Sequence, residues 1–241
     1  MKPIVWMRKT HKWLGLLVGF QVFCWVLGGV VMSVLPLDKV HGDHLHHTLK
    51  PKALTEHDHQ RAFNLISQHA PQTHHIRVFS IFQRKYVEFS NADNDLIIYD
   101  LDRGAPAIEL SNDEVIANAQ AIYTGADRIP TVERVIQHST EYKKKLPAWR
   151  VTFDDDVNTT YYFDTQTGSL QSVRSSLWRV FDFFWMLHIM DYSERENFNN
   201  PLLITAAIIA LLFVFSGFYL IVKVFHRRDF NWLLLRRKTK G

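Results

Sequence analysis

The chain has 241 residues, a formal net charge of +4 and a hydrophobic share of 47%, which suits one or two modest domains. Its single cysteine, Cys24, excludes a disulfide within the chain and every cysteine-based zinc or haem-attachment motif. The sequence also lacks a glycine-rich phosphate loop, a His-Glu-x-x-His pair and a nucleophile elbow, which disfavours kinases and hydrolases.

The first apolar run covers residues 13–37 and contains no charged residue. At 1.5 Å per residue it is long enough to cross a hydrocarbon core of about 30 Å. A short basic segment, residues 1–12, precedes it. We expect an uncleaved transmembrane helix rather than a removed signal peptide, because the run is long and residues 33–37 lack a small-x-small cleavage pattern.

Residues 38–59 are polar and rich in histidine. The six histidines are His41, His44, His46, His47, His57 and His59. Imidazole suits Zn²⁺ and Cu²⁺, and a pH-sensitive hinge is another reading because histidine titrates near neutrality. The spacing is not one of the specific zinc patterns, so we interpret the stretch as a solvated linker.

The middle of the chain contains the pattern of a helix followed by three strands twice. The first unit, about residues 58–104, has a helix at 58–70 and strands at 75–82, 85–90 and 96–101. The second, about residues 111–168, has a helix at 112–123 and strands at 131–137, 148–154 and 159–164. Ser111 or Asn112 is a typical helix cap, and each unit ends in a turn suited to glycine. The repeat predicts an α+β domain of two related units within residues 38–177.

The last part of the chain returns to apolar sequence. Residues 178–200 combine an aromatic helical face with Arg179, Asp182 and Asp191, which favours an interfacial helix and a turn over a crossing. Residues 201–225 form the second predicted transmembrane helix, since 202–222 carry no charge. Residues 226–241 form a basic tail.

The charges predict an orientation. Basic residues dominate both outer ends of the two spans, whereas all but one of the 24 acidic residues lie between them, in residues 37–200. This distribution places both termini in the cytoplasm and the middle outside. The net positive charge is therefore a topology signal, and we expect a lipid membrane rather than a nucleic acid as the partner.

Four short motifs occur in a familiar order: Thr-His-Lys-Trp-Leu-Gly-Leu at 10–16, Asp-Thr-Gln-Thr-Gly at 164–168, Leu-His-Ile-Met-Asp at 187–191 and Ser-Gly-x-Tyr-Leu at 216–220. With this order the chain resembles the PepSY-associated transmembrane family, in a two-span form. The resemblance implies a membrane α-helical hairpin plus a periplasmic α+β domain of two PepSY-like units. It also implies the bacterial inner membrane.

Larger relatives in this family have four spans and include inner-membrane reductases of ferric siderophores that carry b-type haem on histidines. The resemblance therefore implies haem b and electron transfer to a periplasmic iron–siderophore or similar acceptor, in iron uptake. A homodimer or a larger membrane complex would restore four spans. The sequence has no nucleotide or flavin motif, so the electron donor would be a partner or the quinone pool.

Histidines at the helix ends are the candidate ligands. His11 begins the first helix and His226 ends the second, so an antiparallel hairpin brings them to a similar depth for one haem, within or between protomers. His188 with His41 or His44 forms a second candidate site on the outer side, and two haems would make a path across the bilayer. The alternatives are headgroup contact for His11 and His226 and hydrogen-bonded packing for His188.

A second hypothesis comes from another functional class. PepSY modules are linked to protease propeptides, which suggests by analogy a non-enzymatic membrane-anchored protein that binds or regulates a protease or a membrane complex. Its binding surface would be the outer domain, at a strand edge.

Overall fold

The computed structural model of the protein describes residues 3–73, 75–91, 93 and 95–224. The chain separates into two compact units, which we call the membrane unit and the central domain. The membrane unit comprises Met1–Val34 and Phe181–Gly241, and the central domain comprises Leu35–Val180. The predicted basic tail, residues 226–241, lies outside the described residues, and so does His226.

Two helices of the membrane unit are long and apolar enough to cross a membrane: α1 (Pro3–Val34) and α6 (Pro201–Val224). Helix α1 begins ten residues before the apolar run, because residues 4–12 contain no glycine or proline to interrupt it. Large apolar side chains point away from the protein on both helices; Phe20 is 74% exposed and Val222 75% exposed. Apolar surface of this extent requires a lipid environment.

Helix α1 packs against two neighbours. Its first half runs antiparallel to α6, with His11 beside Ser216 and Gly15 beside Phe213. Its second half meets α5 (Ser176–Ile189), where a Cβ added at Gly28 would lie 3.4 Å from the carbonyl oxygen of Phe184. Glycine at these positions lets helix backbones approach closely, as is common between membrane helices.

The first half of the central domain begins with α2 (Leu37–His41) and a 3₁₀ turn at Asp43–Leu45. Helix α3 (Glu56–His69) follows and starts with a capping box between Thr55 and Asp58. An antiparallel sheet comes next, in the order β1-β2-β3-β4. Its strands are β1 (Ile76–Ile81), β2 (Arg84–Ser90), β3 (Leu96–Asp100) and β4 (Ala105–Pro106). Helix α3 covers one face of this sheet and buries Ala62 and Ile66 against Val87 and Phe89.

The second half repeats this plan. Helix α4 (Asn112–Ile122) starts with a capping box between Ser111 and Glu114, and Ser111 is one of the two predicted caps. The antiparallel sheet has the order β5-β6-β7-β8. Its strands are β5 (Thr131–Val135), β6 (Ala148–Thr152), β7 (Thr160–Asp164) and β8 (Leu170–Arg174). The predicted fold class, two membrane helices with an α+β domain of two helix–sheet units, is confirmed; strands β4 and β8 were not predicted.

The turn at residues 164–168 shows why the Asp-Thr-Gln-Thr-Gly motif needs its first and last residues. Asp164 accepts hydrogen bonds from the backbone N–H groups of Gln166 and Thr167 and from the Thr167 hydroxyl. Gly168 has a φ of 71°, and a Cβ there would lie 2.7 Å from Nδ2 of Asn118. The turn thus needs both the aspartate as acceptor and a residue without a side chain.

The interpretation of residues 38–59 as a solvated linker is wrong for their first part. Helix α2 and the 3₁₀ turn occupy residues 37–45, and His46 forms a β-bridge with Tyr123. The physical reason is that Val40 and Leu45 are buried, and Leu45 belongs to the core of the second unit. Among the residues described, no group of three or more histidine, cysteine or acidic side chains is arranged to hold a metal ion.

A buried ion pair in the first unit predicts acid sensitivity. Nζ of Lys85 lies 2.6 Å from Oδ2 of Asp58, and their side chains are 9% and 5% exposed. Hydrogen bonds from Lys85 and Thr55 hold the pKa of Asp58 well below its ordinary value. A depressed carboxyl pKa stabilises the fold above the unfolded pKa of about 4, and this contribution is lost as the pH falls toward the folded pKa.

We therefore expect Asp58→Asn to lower the Tm at pH 7, and we expect the gap from the wild type to narrow progressively below about pH 4. Thermal unfolding of the full chain in an uncharged detergent at pH 7 and pH 2.5 measures this gap. Asp127→Asn, at an exposed loop aspartate, is the control and should leave the Tm unchanged. A Tm gap of the same size at both pH values would contradict the stabilising role of the Asp58 carboxylate.

Candidate functional site

His11 lies at the contact between α1 and α6. Its Nδ1 is 2.6 Å from Oγ of Ser216, and its ring stacks on Phe213 with centroids 4.4 Å apart and planes at 10°. The Ser216 hydroxyl donates its proton to the carbonyl oxygen of Phe213 at 2.7 Å. Both bonds of Ser216 form at once when neutral His11 carries its proton on Nδ1 and donates it to the hydroxyl, and this is the tautomer we infer. The lone pair on Nε2 then remains available.

The residue after Ser216 makes room for this ring. A Cβ added at Gly217 would lie 3.3 Å from Cε1 of His11, which is tighter than ordinary van der Waals contact. The Ser-Gly pair at 216–217 therefore has two distinct roles: the serine orients the imidazole, and the glycine lets it sit against the backbone of α6. An imidazole held through one nitrogen, with the other free, is the arrangement of a metal-ligating histidine.

His188 lies on α5 where this helix meets α1. A Cβ at Gly28 would be 3.8 Å from Cβ of His188 and 3.9 Å from its Nδ1. This Nδ1 is buried and has no hydrogen-bond partner among the described residues, and the same holds for Nε1 of Trp25, one helical turn before Gly28. Buried polar atoms without partners cost free energy. Two buried polar atoms near the contact between α1 and α5 are therefore unsatisfied among the described residues.

His11 and His188 belong to two separate places in the membrane unit. His188 lies beside Gly28, and Gly28 is 17 residues after His11 in the continuous helix α1. At 1.5 Å per residue this corresponds to roughly 25 Å along the helix axis. The two imidazoles therefore cannot bind the same iron, and each needs a different second ligand.

The other predicted ligands lie elsewhere. His41 ends α2 and His44 lies in the 3₁₀ turn; both belong to the central domain and are exposed. His226 lies outside the described residues. His11 and His188 are therefore half-buried on packed helices of the membrane unit. His41 and His44 lie on the surface of the central domain.

Sequence reasoning predicted a turn between α5 and α6 but missed its hydrogen-bonded structure, in residues 190–200, which we call the connector. Asp191 accepts hydrogen bonds from the backbone N–H groups of Ser193, Glu194, Glu196 and Asn197 and from the Ser193 hydroxyl. These bonds, the one from Asn197 first, hold the pKa of Asp191 well below its ordinary value. The sequence signal was the aspartate of Leu-His-Ile-Met-Asp, three residues after His188.

A second set of contacts ties the connector to α5. Arg195 forms an ion pair with Asp182, and Nε1 of Trp185 donates to the carbonyl oxygen of Arg195 at 3.0 Å. Arg195 adopts a positive φ of 62°, which places this carbonyl within reach. Its Nε is buried without a partner among the described residues. The connector is therefore an ordered segment held by polar contacts, and it fixes the end of α5, the helix that carries His188.

A b-type haem is held by neutral imidazoles on rigid helices. His11, held at Nδ1 by Ser216, fits this requirement. At His188 the unpaired Nδ1 is buried against Gly28, so Nε2 is the nitrogen that would reach a haem. The residues present are thus compatible with haem ligation at two places.

Comparison with known proteins concerns the whole chain. No curated protein and no solved structure is significantly similar to it. The family model described as the PepSY-associated TM region matches residues 8–241, which include both membrane helices, both helix–sheet units and the connector. The chain therefore belongs to the PepSY-associated TM family.

Proposed function

We propose that this membrane PepSY protein is a haem-dependent electron-transfer component, a reductase acting on a periplasmic iron–siderophore or a similar acceptor. The observation that carries the proposal is His11, whose Nδ1 is held by Ser216 and whose Nε2 has no hydrogen-bond partner among the described residues. Haem b, when bound, would supply one-electron redox chemistry. The proposal includes an inner-membrane location, cytoplasmic termini and a periplasmic central domain.

The chain's own residues would prepare each ligand. Ser216 fixes the tautomer of His11, and the Phe213 ring fixes the plane of its imidazole. Support of this kind sets both the orientation and the basicity of a ligating histidine. Gly28 on α1 lies against His188, and Nδ2 of Asn200 in the connector donates to the carbonyl oxygen of Ile189 at the end of α5.

We propose His226 as the second ligand at the site of His11, within one chain or across a homodimer. His188 would need a second ligand of its own. The roughly 25 Å between His11 and Gly28 along α1 suits two haems at different depths rather than one.

The test is a reduced-minus-oxidised visible spectrum of the full chain, produced with haem supplementation and purified in an uncharged detergent. We expect the bands of b-type haem, and we expect His11→Ala and His188→Ala each to remove about half of the bound haem. Ser216→Ala should weaken haem binding at the His11 site by about 10–100-fold, because the ligand loses its orienting partner. His59→Ala is the matched control, at an exposed histidine of α3.

The proposal fails if the wild-type protein is colourless at full yield after haem supplementation. It also fails if His11→Ala and His188→Ala retain the full haem-to-protein ratio. Either result would favour the second candidate function, a non-enzymatic protein that binds a partner.

One observation favours that second candidate. Strand β5 is an edge of its sheet, and two isoleucines that flank it are largely exposed, Ile129 at 88% and Ile136 at 64%. An edge strand with apolar neighbours is a place where a partner can add a strand. If a partner binds there, Ile136→Lys should shift the native complex in detergent-solubilised membranes to a smaller size, and an unchanged size would exclude this edge.

A further inference from the structure

The outer face of the second sheet has a polar part beside a small hydrophobic cluster of Tyr142, Ala148 and Tyr162. The cross-strand register forms two rows on this face, one of Arg150, Tyr162 and Ser172, the other of Thr152, Thr160 and Arg174. The alternate residues, including Val151, Phe153 and Tyr161, point to the opposite face and form the core under α4. A polar outer face is ordinary for an antiparallel sheet when it is open to water.

This face, however, is covered. Residues 138–146 lie over it, with the Tyr142 ring stacked on Tyr162 at a centroid distance of 4.5 Å, and the first turn of α5 closes one side. Thr160 is only 1% exposed and Tyr162 only 2%. Between the cover and the sheet remains a cleft of about 590 Å³. Its hydroxyl-bearing walls include Ser139, Thr140, Thr152, Thr160, Tyr162 and Ser176.

The cleft is built around one carboxylate among several guanidinium groups. Arg179 grips both oxygens of Glu141, at 2.7 and 3.1 Å, and also donates to Thr160 and to the carbonyl oxygen of Asn158. Arg174 donates from Nε to the backbone carbonyl of Glu141 at 2.8 Å. Burial opposes ionisation of Glu141, but the charges of Arg179 and Arg150 outweigh it and hold the pKa of this carboxyl below its ordinary value.

Arg150 is the cation in the cleft that is best placed to pair with a ligand anion. Its one ion pair described here is with Glu133, at 3.1 Å, and the two side chains are 43% and 63% exposed. Such a surface pair contributes little free energy, so exchanging Glu133 for a ligand anion costs little. Arg179, by contrast, is fixed by four hydrogen bonds to three groups and forms part of the cleft wall.

We propose that this cleft binds the phosphate group of a small molecule, with Arg150 as the charged contact and the Thr152 hydroxyl as a neighbouring donor. Donors reach the space from the sheet, from residues 138–146 and from α5, and a tetrahedral anion offers acceptor oxygens in all of these directions. Guanidinium groups pair strongly with phosphate. This proposal does not depend on the histidines of the membrane unit or on haem.

The test is calorimetric titration of the full chain with inorganic phosphate in an uncharged detergent. We expect saturable binding, weakened at least about tenfold by Arg150→Gln, because a charge-assisted contact is lost. Thr152→Val, which keeps the side-chain volume, should weaken binding several-fold and covers the case that Arg150→Gln unfolds. Arg134→Gln is the matched control, since Arg134 lies on the same sheet but opposite Trp149 and pairs with Glu109.

Two sources of the phosphate group are separated by repeating the titration in nanodiscs. Phosphate binding that disappears in phosphatidylglycerol nanodiscs but persists in phosphatidylcholine nanodiscs would assign the site to an anionic lipid headgroup. Binding that persists in both would assign it to a free phosphate compound. The proposal is overturned if inorganic phosphate does not bind saturably, or if folded Arg150→Gln and Thr152→Val both bind it like the wild type.

Discussion

Replacing Phe153 by alanine is expected to destabilise the central domain by about 3–5 kcal/mol, the usual cost of emptying a fully buried aromatic site. Phe153 is 0% exposed. Its ring stacks on Tyr123 at 3.9 Å and meets Tyr161 edge-on at 5.6 Å. These neighbours belong to α4's end and to β7, so the cavity would lie where the helix and the sheet join, and it could not collapse without moving both.

Urea unfolding of the full chain in detergent, followed by tryptophan fluorescence, measures this loss, because Trp149 lies in the same core. The matched control is Phe63→Ala. Phe63 is on α3 and is 68% exposed, so its removal should change the free energy of unfolding by no more than about 0.5 kcal/mol. Equal midpoints for the two variants would show that the second core is not the cooperative unit described here.

The second large effect is expected at Asp191. Alanine there removes the acceptor for four backbone N–H groups and one hydroxyl at once. We expect trypsin to cut the variant after Arg195 on the order of tenfold faster than the wild type, since proteolysis reports the population of the locally opened segment. Timed digestion of the full chain in detergent, followed by mass spectrometry, gives the rate.

Asp191→Asn separates charge from shape. Its amide keeps one oxygen for Ser193 and Glu194 but turns an NH₂ group toward the N–H groups of Glu196 and Asn197, so cleavage should be intermediate. Asp102→Ala is the control, at an exposed aspartate that precedes a tryptic site at Arg103, and it should leave cleavage after Arg195 unchanged. Wild-type cleavage rates in Asp191→Ala would refute the role of this carboxylate.

Much of the fold was predictable because its signals are local. Residues 202–222 lack charge over the length of a membrane crossing, and they lie within α6. The spacing of Ser111 and Glu114 is that of a capping box, and the structure has one there. Glycine at 168 marks the turn between β7 and β8. Signals of this kind need only a few neighbouring residues, so one sequence suffices to read them.

The remainder depends on contacts distant in sequence. Strand β8 contains Gln171, Ser172 and Arg174, a composition typical of a loop, and it is a strand because β7 supplies its hydrogen bonds. Helix α2 forms in a histidine-rich stretch because Val40 is buried. The partner of His11, Ser216, is 205 residues away. Candidate ligands could therefore be named from the sequence, but the groups that orient them could not.

The packing of α1 on α6 has a consequence for the lipid itself. Ser216 lies 15 residues into α6, about 23 Å from its start. With one boundary of a hydrocarbon core of about 30 Å placed at Pro201, His11 lies short of the other boundary. The neighbouring Lys9 and Lys12 are exposed on α1 at this depth. Their ammonium groups must reach water along extended side chains, or the bilayer must thin locally around this end of the helix pair. The protein would thus favour thin membranes and deform thick ones.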